Sequence, residues 1–232
     1  MMKRILCFVL VFILLLFPFR LSISAEEIYG KVYCRNTLCK GKIALTFDDG
    51  PHPRYTKEIL AILEEYHVTA TFFIIGVNAT NYPEDLRRIV AAGCEIGNHT
   101  DSHCRIKALS SAEIQKELEQ CEEHIYHLCG IRPRVFRPPE GMMNDSLKMV
   151  AAKMGYDLVL WSIDTKDWAL NPPQEILKTV QNHIRGGDII LMHDYVSGGN
   201  TTCASLRLLI PMLLARGYEF VTVSELIQGD HE

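Results

Sequence analysis

Apolar and polar positions along this chain switch repeatedly between a spacing of two and a spacing of about 3.6 residues, the mark of alternating strands and helices. Lys42 to Phe47 predicts a strand and Thr56 to Tyr66 an amphipathic helix. Thr69 to Ile75, rich in β-branched and aromatic residues, predicts a second strand ending at Gly76. Pro83 to Ala92 follows as a helix stopped by Gly93, and Glu95 to Asn98 as a short strand. Ser110 with Glu113 three places on forms a capping box. It opens a helix whose Ile114, Leu118, Cys121, Ile125 and Leu128 share one face, and Gly130 closes it. Strands are expected next at Arg134 to Phe136, Leu158 to Ile163, Asp188 to Met192 and Glu219 to Val221. Helices separate them at Asp145 to Met154, Gln174 to Ile184 and Ala204 to Arg216, and Ser224 caps a last one.

This makes about seven β-then-α units, and that order implies parallel strands joined by helical crossovers. An open doubly wound sheet or a barrel would satisfy it. Seven units fall one short of an eightfold barrel, so the expected fold is α/β, a distorted or incomplete (β/α) barrel. Residues 26–40 read as a lead-in segment and residues 41–228 as one domain.

Composition adds the compartment. Lys3 and Arg4 precede an apolar run from Ile5 to Phe17, and small residues up to Ala25 offer a cleavage point, so residues 1–25 read as a signal peptide. The run is shorter than the roughly 20 residues of a membrane span. Left uncleaved it would be the chain's only membrane contact, and the location is secreted or cell envelope. The formal charge of −4 speaks against a nucleic-acid partner, which needs clustered cations. Seven cysteines follow the leader, an odd number. Cys34 with Cys39 and Cys121 with Cys129 are near neighbours, although a helix across 121–129 would hold the second pair too far apart.

The chemistry-bearing residues fall after strands. Asp48 and Asp49 follow the first, His99 and His103 the third, and Arg137 the fourth. Asp164, Asp167 and Trp168 follow the fifth, His193 and Asp194 the sixth. Carboxyl ends of parallel strands are where active sites form in α/β folds. Asp48-Asp49-Gly50-Pro51 alone would be a turn, His193 alone a core histidine, and Arg137-Pro138-Pro139 an arginine before an extended turn. His99 and His103 stand at i and i+4, so one helical turn would put both imidazoles on one face; with one carboxylate they make a metal site with open positions. Asp101 between them is a rival ligand that such a turn points elsewhere.

Taken in order, Thr46-Phe47-Asp48-Asp49-Gly50-Pro51, His99-Thr100-Asp101-Ser102-His103, Arg137-Pro138-Pro139, Asp164-Thr165-Lys166-Asp167-Trp168 and Leu191-Met192-His193 resemble the five motifs of the polysaccharide deacetylase family. These carbohydrate esterases carry a domain like that of the nodulation chitooligosaccharide deacetylase. The resemblance spans Lys42 to Leu226 and implies a distorted (β/α) barrel. It implies that Asp49, His99 and His103 hold one divalent metal ion, with zinc the default and cobalt, nickel, manganese or iron fitting the same donors. Asp48 would be the general base, Arg137 its cationic partner, and His193 the general acid oriented by Asp167. The backbone N–H after Pro139 would face the oxyanion, while Trp168 and Leu191 would wall the acetyl pocket. Glu140 departs from the family, which often has an aromatic residue there, and bears on sugar contacts rather than on the reaction.

The expected activity is metal-dependent hydrolysis of acetyl groups on N-acetylglucosamine-type residues of a cell-wall polysaccharide, peptidoglycan or chitooligosaccharide, by a monomer. O-deacetylation of acetylated xylan uses the same apparatus. A non-catalytic glycan-binding domain would not need Asp48, Arg137 and His193. An iron oxygenase could share the two histidines and one carboxylate, but not the base and the Asp–His pair.

Overall fold

The computed structural model of the chain describes residues 30–199 and 201–229. The leader expected at 1–25 and the first part of the lead-in lie outside the described residues. Among the described residues no helix is long and apolar enough to cross a membrane.

Nine strands form one sheet: β1 (Val32–Tyr33), β2 (Lys42–Gly50), β3 (Thr71–Ile74), β4 (Glu95–Asn98), β5 (Val135–Phe136), β6 (Asp157–Val159), β7 (Ile163–Asp164), β8 (Ile189–His193) and β9 (Glu219–Phe220). The order is β1-β6-β5-β4-β3-β2-β8-β7, every neighbouring pair is parallel, and β9 pairs with the start of β2. The helices are α1 (Tyr55–Glu65), α2 (Gly76–Asn81), α3 (Pro83–Ala91), α4 (Ser111–Cys129), α5 (Asp145–Lys153), α6 (Pro173–His183), α7 (Thr202–Ala215) and α8 (Val223–Gln228). This is the distorted (β/α) barrel expected.

The distortion has a cause. The strand expected at Leu158 to Ile163 is broken: β6 pairs with β5 and β1, whereas β7 pairs with β8. One stretch of chain thus serves both ends of the sheet, and the ring is closed through the covalent link at residues 160–162. β9 supplements β2 at Lys42 and Ile43, ahead of the stretch where β2 pairs with β3.

Alternation along β2 sorts its side chains between two faces. Ile43, Leu45 and Phe47 join the large core against the helices, where Phe47 stacks on Phe72 at 4.9 Å. Ala44 faces a smaller interior cluster with Phe73, Val135, Val159 and Ile189. Thr46 and Asp48 continue this inward row toward the carboxyl end.

The capping box at Ser110 and Glu113 forms, and Gly130 ends α4 with φ 72°. The last helix is capped by Thr222, not Ser224; Thr222 makes its own capping box with Glu225, and Ser224 instead bonds Glu95. The sequence does not predict helix α2, because only Gly76 and Ala79 of it are buried and no apolar period marks it. The seven described cysteines are all free thiols, and Cys121 and Cys129 lie on one helix, α4.

Candidate active site

Asp48 and Asp49 would point to opposite faces of a regular strand. A β-bulge between Asp48 and Gly50, with Asp49 at φ 76°, breaks the alternation and turns both carboxylates to the site. Asp48 is buried, and Arg137 Nη1 donates to its Oδ1 at 2.6 Å. Arg137 is fully buried and also bonds Thr46 Oγ1 at 2.8 Å and the Leu160 carbonyl at 3.0 Å, with its guanidinium 4.1 Å above the Phe73 ring. Burial pulls the Arg137 pKa down, and the Asp48 charge opposes that. With Oδ1 engaged, Asp48 Oδ2 lies 3.8 Å from His99 Nε2.

The two histidines meet by a route different from the helical turn expected. Residues after β4 form a loop in which Thr100 and His103 have φ 68° and 55°. Glu117 on α4 pins it, accepting the backbone N–H of Asp101 at 3.1 Å and of Ser102 at 2.9 Å. Asp101 points away from the ligand set, as expected, although what holds it there is a hydrogen bond between its Oδ1 and His124 Nδ1 at 2.9 Å.

Asp49, His99 and His103 come together, with one possible ligand atom from each lying within 4.8 Å of the others. Asp49 Oδ1 is 3.4 Å from His99 Nε2 and 3.3 Å from His103 Nε2. The Arg137 carbonyl, 2.7 Å away, fixes the hydrogen of His99 on Nδ1, so in the neutral ring the Nε2 lone pair faces Asp49. Asp49 Oδ1 is buried with no hydrogen-bond partner. Burial opposes ionisation of Asp49, but the imidazoles of His103 and His99 outweigh it and hold the carboxyl well below its usual range. Asp49 in turn raises the pKa of His103 against burial. A buried carboxylate oxygen without a hydrogen bond, 3.3 and 3.4 Å from two imidazole Nε2 atoms, is a donor set that fits a divalent cation.

Across the site, His193 Nδ1 lies 2.8 Å from Asp167 Oδ1. Asp167 is fully buried, and its Oδ2 accepts the His193 backbone N–H at 2.8 Å and Thr202 Oγ1 at 2.8 Å. Burial disfavours the imidazolium, yet Asp167, with help from Asp48 and Asp49, raises the pKa of His193 to about 9. Asp194, next in sequence, is fully buried; burial pushes it up to about 7 while a hydrogen bond from Thr56 opposes.

A cavity of about 420 Å³ is lined by Asp48, Asp49, His99, His103, Glu140, Trp161, Asp164, Trp168, Leu191 and His193. Pro139 leads into a turn in which Glu140, its side chain exposed, has φ 56°. Trp168 is half exposed, and its Nε1 reaches Asp164 Oδ1 at 3.3 Å. Asp48, Asp49, His99, His103, Glu140, Asp164, Trp168, Leu191 and His193 thus share one cavity, with Arg137 and Asp167 bonded to its lining and Asp101 turned away. Sequence reasoning missed Thr46, Glu117, Thr202 and Trp161, which hold or line the site. Thr46 stands within the first motif, whereas Glu117, Trp161 and Thr202 lie outside all five.

A model described as polysaccharide deacetylase matches residues 35–159. The chain is 38% identical to a peptidoglycan-N-acetylglucosamine deacetylase of Bacillus cereus over 82% of this chain and 89% of that one. It is 37% identical to a chitooligosaccharide deacetylase of a Bradyrhizobium species, over 79% and 90%. Among solved structures, a CE4 family pseudoenzyme from Bacillus anthracis superposes with a TM-score of 0.81 at 31% identity, covering 87% of this chain and 70% of that one. A mutant of that protein with restored enzymatic activity also gives 0.81, at 32% identity. Likeness of this order spans active and inactive proteins, so the side chains must decide whether catalysis is supported.

Proposed function

The chain belongs to the polysaccharide deacetylase family, and we propose that it is an exported, metal-dependent hydrolase removing N-acetyl groups from N-acetylglucosamine-type residues of a cell-wall glycan. The observation that carries this reading is the pair of proton-handling groups flanking the ligand set. Asp48 has one oxygen tied to Arg137 and the other free, and His193 is tied through Nδ1 to Asp167. A binding domain has no use for that pair.

Asp49, His99 and His103 would hold the ion, and zinc suits a hydrolase with these donors, though cobalt, nickel, manganese or iron fit them. When bound it polarises a carbonyl and lowers the pKa of water toward about 7. Asp48 Oδ2 takes the proton of the attacking water. Arg137 keeps the carboxylate from turning away, because three hydrogen bonds fix its guanidinium. The Glu140 backbone N–H is the donor for the oxyanion, a contact worth about 2.7–4 kcal/mol in comparable sites. His193 then gives its proton to the departing sugar amine, and Asp167 supplies the negative charge that keeps this acid protonated. The amide C–N bond breaks, leaving acetate and a free amine. Trp168 and Leu191 close around the acetyl methyl group, and residues 1–25 serve as the export signal.

Acetate release tests this. The purified chain is offered N-acetylglucosamine oligomers, peptidoglycan and acetylated xylan, with Zn²⁺ or Co²⁺ and again with a chelator. Metal-dependent acetate from the amide substrates, lost in Asp48→Asn, is expected. Acetate from xylan alone would move the substrate to an O-acetylated glycan, and none under any metal would leave a glycan-binding domain.

A further inference from the structure

Beside the cavity, on the same edge of the sheet, four rings from three segments come together. His52 and Tyr55 follow β2, Tyr82 lies between α2 and α3, and Tyr195 follows β8. The His52 ring is sandwiched, 4.7 Å from Tyr55 at 21° and 5.1 Å from Tyr195 at 17°, and Tyr82 approaches it at 6.3 Å. Tyr195 is 41% exposed. Among the described residues the phenol oxygens of Tyr55, Tyr82 and Tyr195 have no hydrogen-bond partner.

The stack is held rigid from below. His52 Nδ1 accepts the backbone N–H of Tyr55 at 3.2 Å and of Arg54 at 3.3 Å, which sets the plane of the ring. Burial lowers the His52 pKa, so this ring is a neutral spacer between two phenols. Thr56 Oγ1 accepts the His52 N–H at 2.7 Å and donates to Asp194 Oδ2 at 2.6 Å. Asp194 immediately precedes Tyr195, and its own N–H bonds the Asp48 carbonyl at 3.1 Å. A closed path of polar contacts therefore fixes both ends of the stack to the strand ends that carry Asp48, Asp49 and His193. An exposed aromatic face that is already immobile loses little entropy on binding, and unpaired hydroxyls around it suit a polar ring with apolar C–H faces.

We propose that Tyr195, backed by His52 and Tyr55, is a second sugar-binding platform, which stacks against a neighbouring pyranose of the glycan whose acetylated residue sits in the catalytic cavity. This rests on the hydrolase reading above and extends it to chain-length preference. Tyr195 lies two residues from His193, at most about 7 Å along the backbone, so platform and acid lie within reach of one oligosaccharide.

The test uses wild-type chain, Tyr195→Ala and Tyr195→Phe with N-acetylglucosamine dimer and hexamer. One readout is the hexamer-to-dimer ratio of kcat/KM with Zn²⁺, and the other is calorimetric titration of hexamer into chelator-treated protein. Tyr195→Ala is expected to lower the ratio, and hexamer affinity, by about two- to tenfold. Tyr195→Phe keeps the ring and most of the ratio. Acetate release whose length ratio ignores Tyr195→Ala, or an equal loss on dimer and hexamer, overturns the platform and leaves the hydrolase. Hexamer binding that depends on Tyr195 without any acetate release keeps the platform and sinks the hydrolase. Neither binding nor release sinks both.

Discussion

Asp167 holds His193 twice, through Oδ1 to the ring Nδ1 and through Oδ2 to the backbone N–H, each at 2.8 Å. The double tie fixes the ring's plane as well as its charge. With its pKa raised to about 9, His193 carries its proton below that pH and loses it above. Activity that needs this acid should therefore fall on the alkaline side near pH 9. In Asp167→Asn the largest opposing influence to burial is gone, so the alkaline limb should move down toward or below the usual histidine value of about 6.5. The rate at pH 8 should drop by about 10²-fold or more. A pH–rate profile reads both; an unmoved limb would remove His193 from the role of acid.

The Arg137–Asp48 pair is buried on both sides. Arg137→Leu leaves Asp48 without its cation in a dry interior and should cost about 3–5 kcal/mol in a urea titration. Adding Asp48→Leu should recover a good part of that loss while leaving the protein inactive, because the second change removes the uncompensated charge. Strict additivity of the two costs would contradict the pairing.

Metal content separates ligands from neighbours. His99→Ala should lose stoichiometric zinc after dialysis, measured by plasma mass spectrometry. Asp101→Asn should retain it, since Asp101 is spent on His124. Glu117→Ala, which frees the loop between the two histidines, should weaken zinc by about 10-fold or more, as loss of outer supports does at other sites.

Gly76 has no room for a side chain. A Cβ there would sit 2.2 Å from Asp101 Oδ1 and 2.8 Å from the Cys121 Cα, the latter on a helix that cannot yield cheaply. Gly76→Ala should destabilise by about 1–3 kcal/mol, read as a lower melting temperature.

The sequence carried the strand–helix alternation because each element has its own period, and the ends of α4 because a capping box and a closing glycine are local. It could not place α2, whose packing is not periodic, nor the break at residues 160–162, which depends on pairing at both ends of the sheet. The same limit shows in the site. His99 and His103 were legible as a pair, but spacing suggested a helical turn. The convergence comes instead from left-handed residues and from Glu117, fourteen positions after His103 and visible only once α4 packs against the loop. Thr222-Val223-Ser224-Glu225 held a readable capping box, and Ser224 was the wrong member of it.

Among the described residues seven other than glycine have positive φ, and six of them, Asp49, Thr100, His103, Glu140, Lys166 and Leu170, stand in or beside the motifs that build the site. At about 1–2 kcal/mol each, the usual left-handed penalty, they amount to a large share of the 5–15 kcal/mol that holds a typical domain together. Among the described residues, left-handed backbone outside glycine is thus concentrated at the catalytic rim. Glycine at Thr100, Glu140, Lys166 or Leu170 would relieve part of that cost, and the gain would loosen the loops that carry the ligands and the acid. Durability and turnover compete for the same backbone angles.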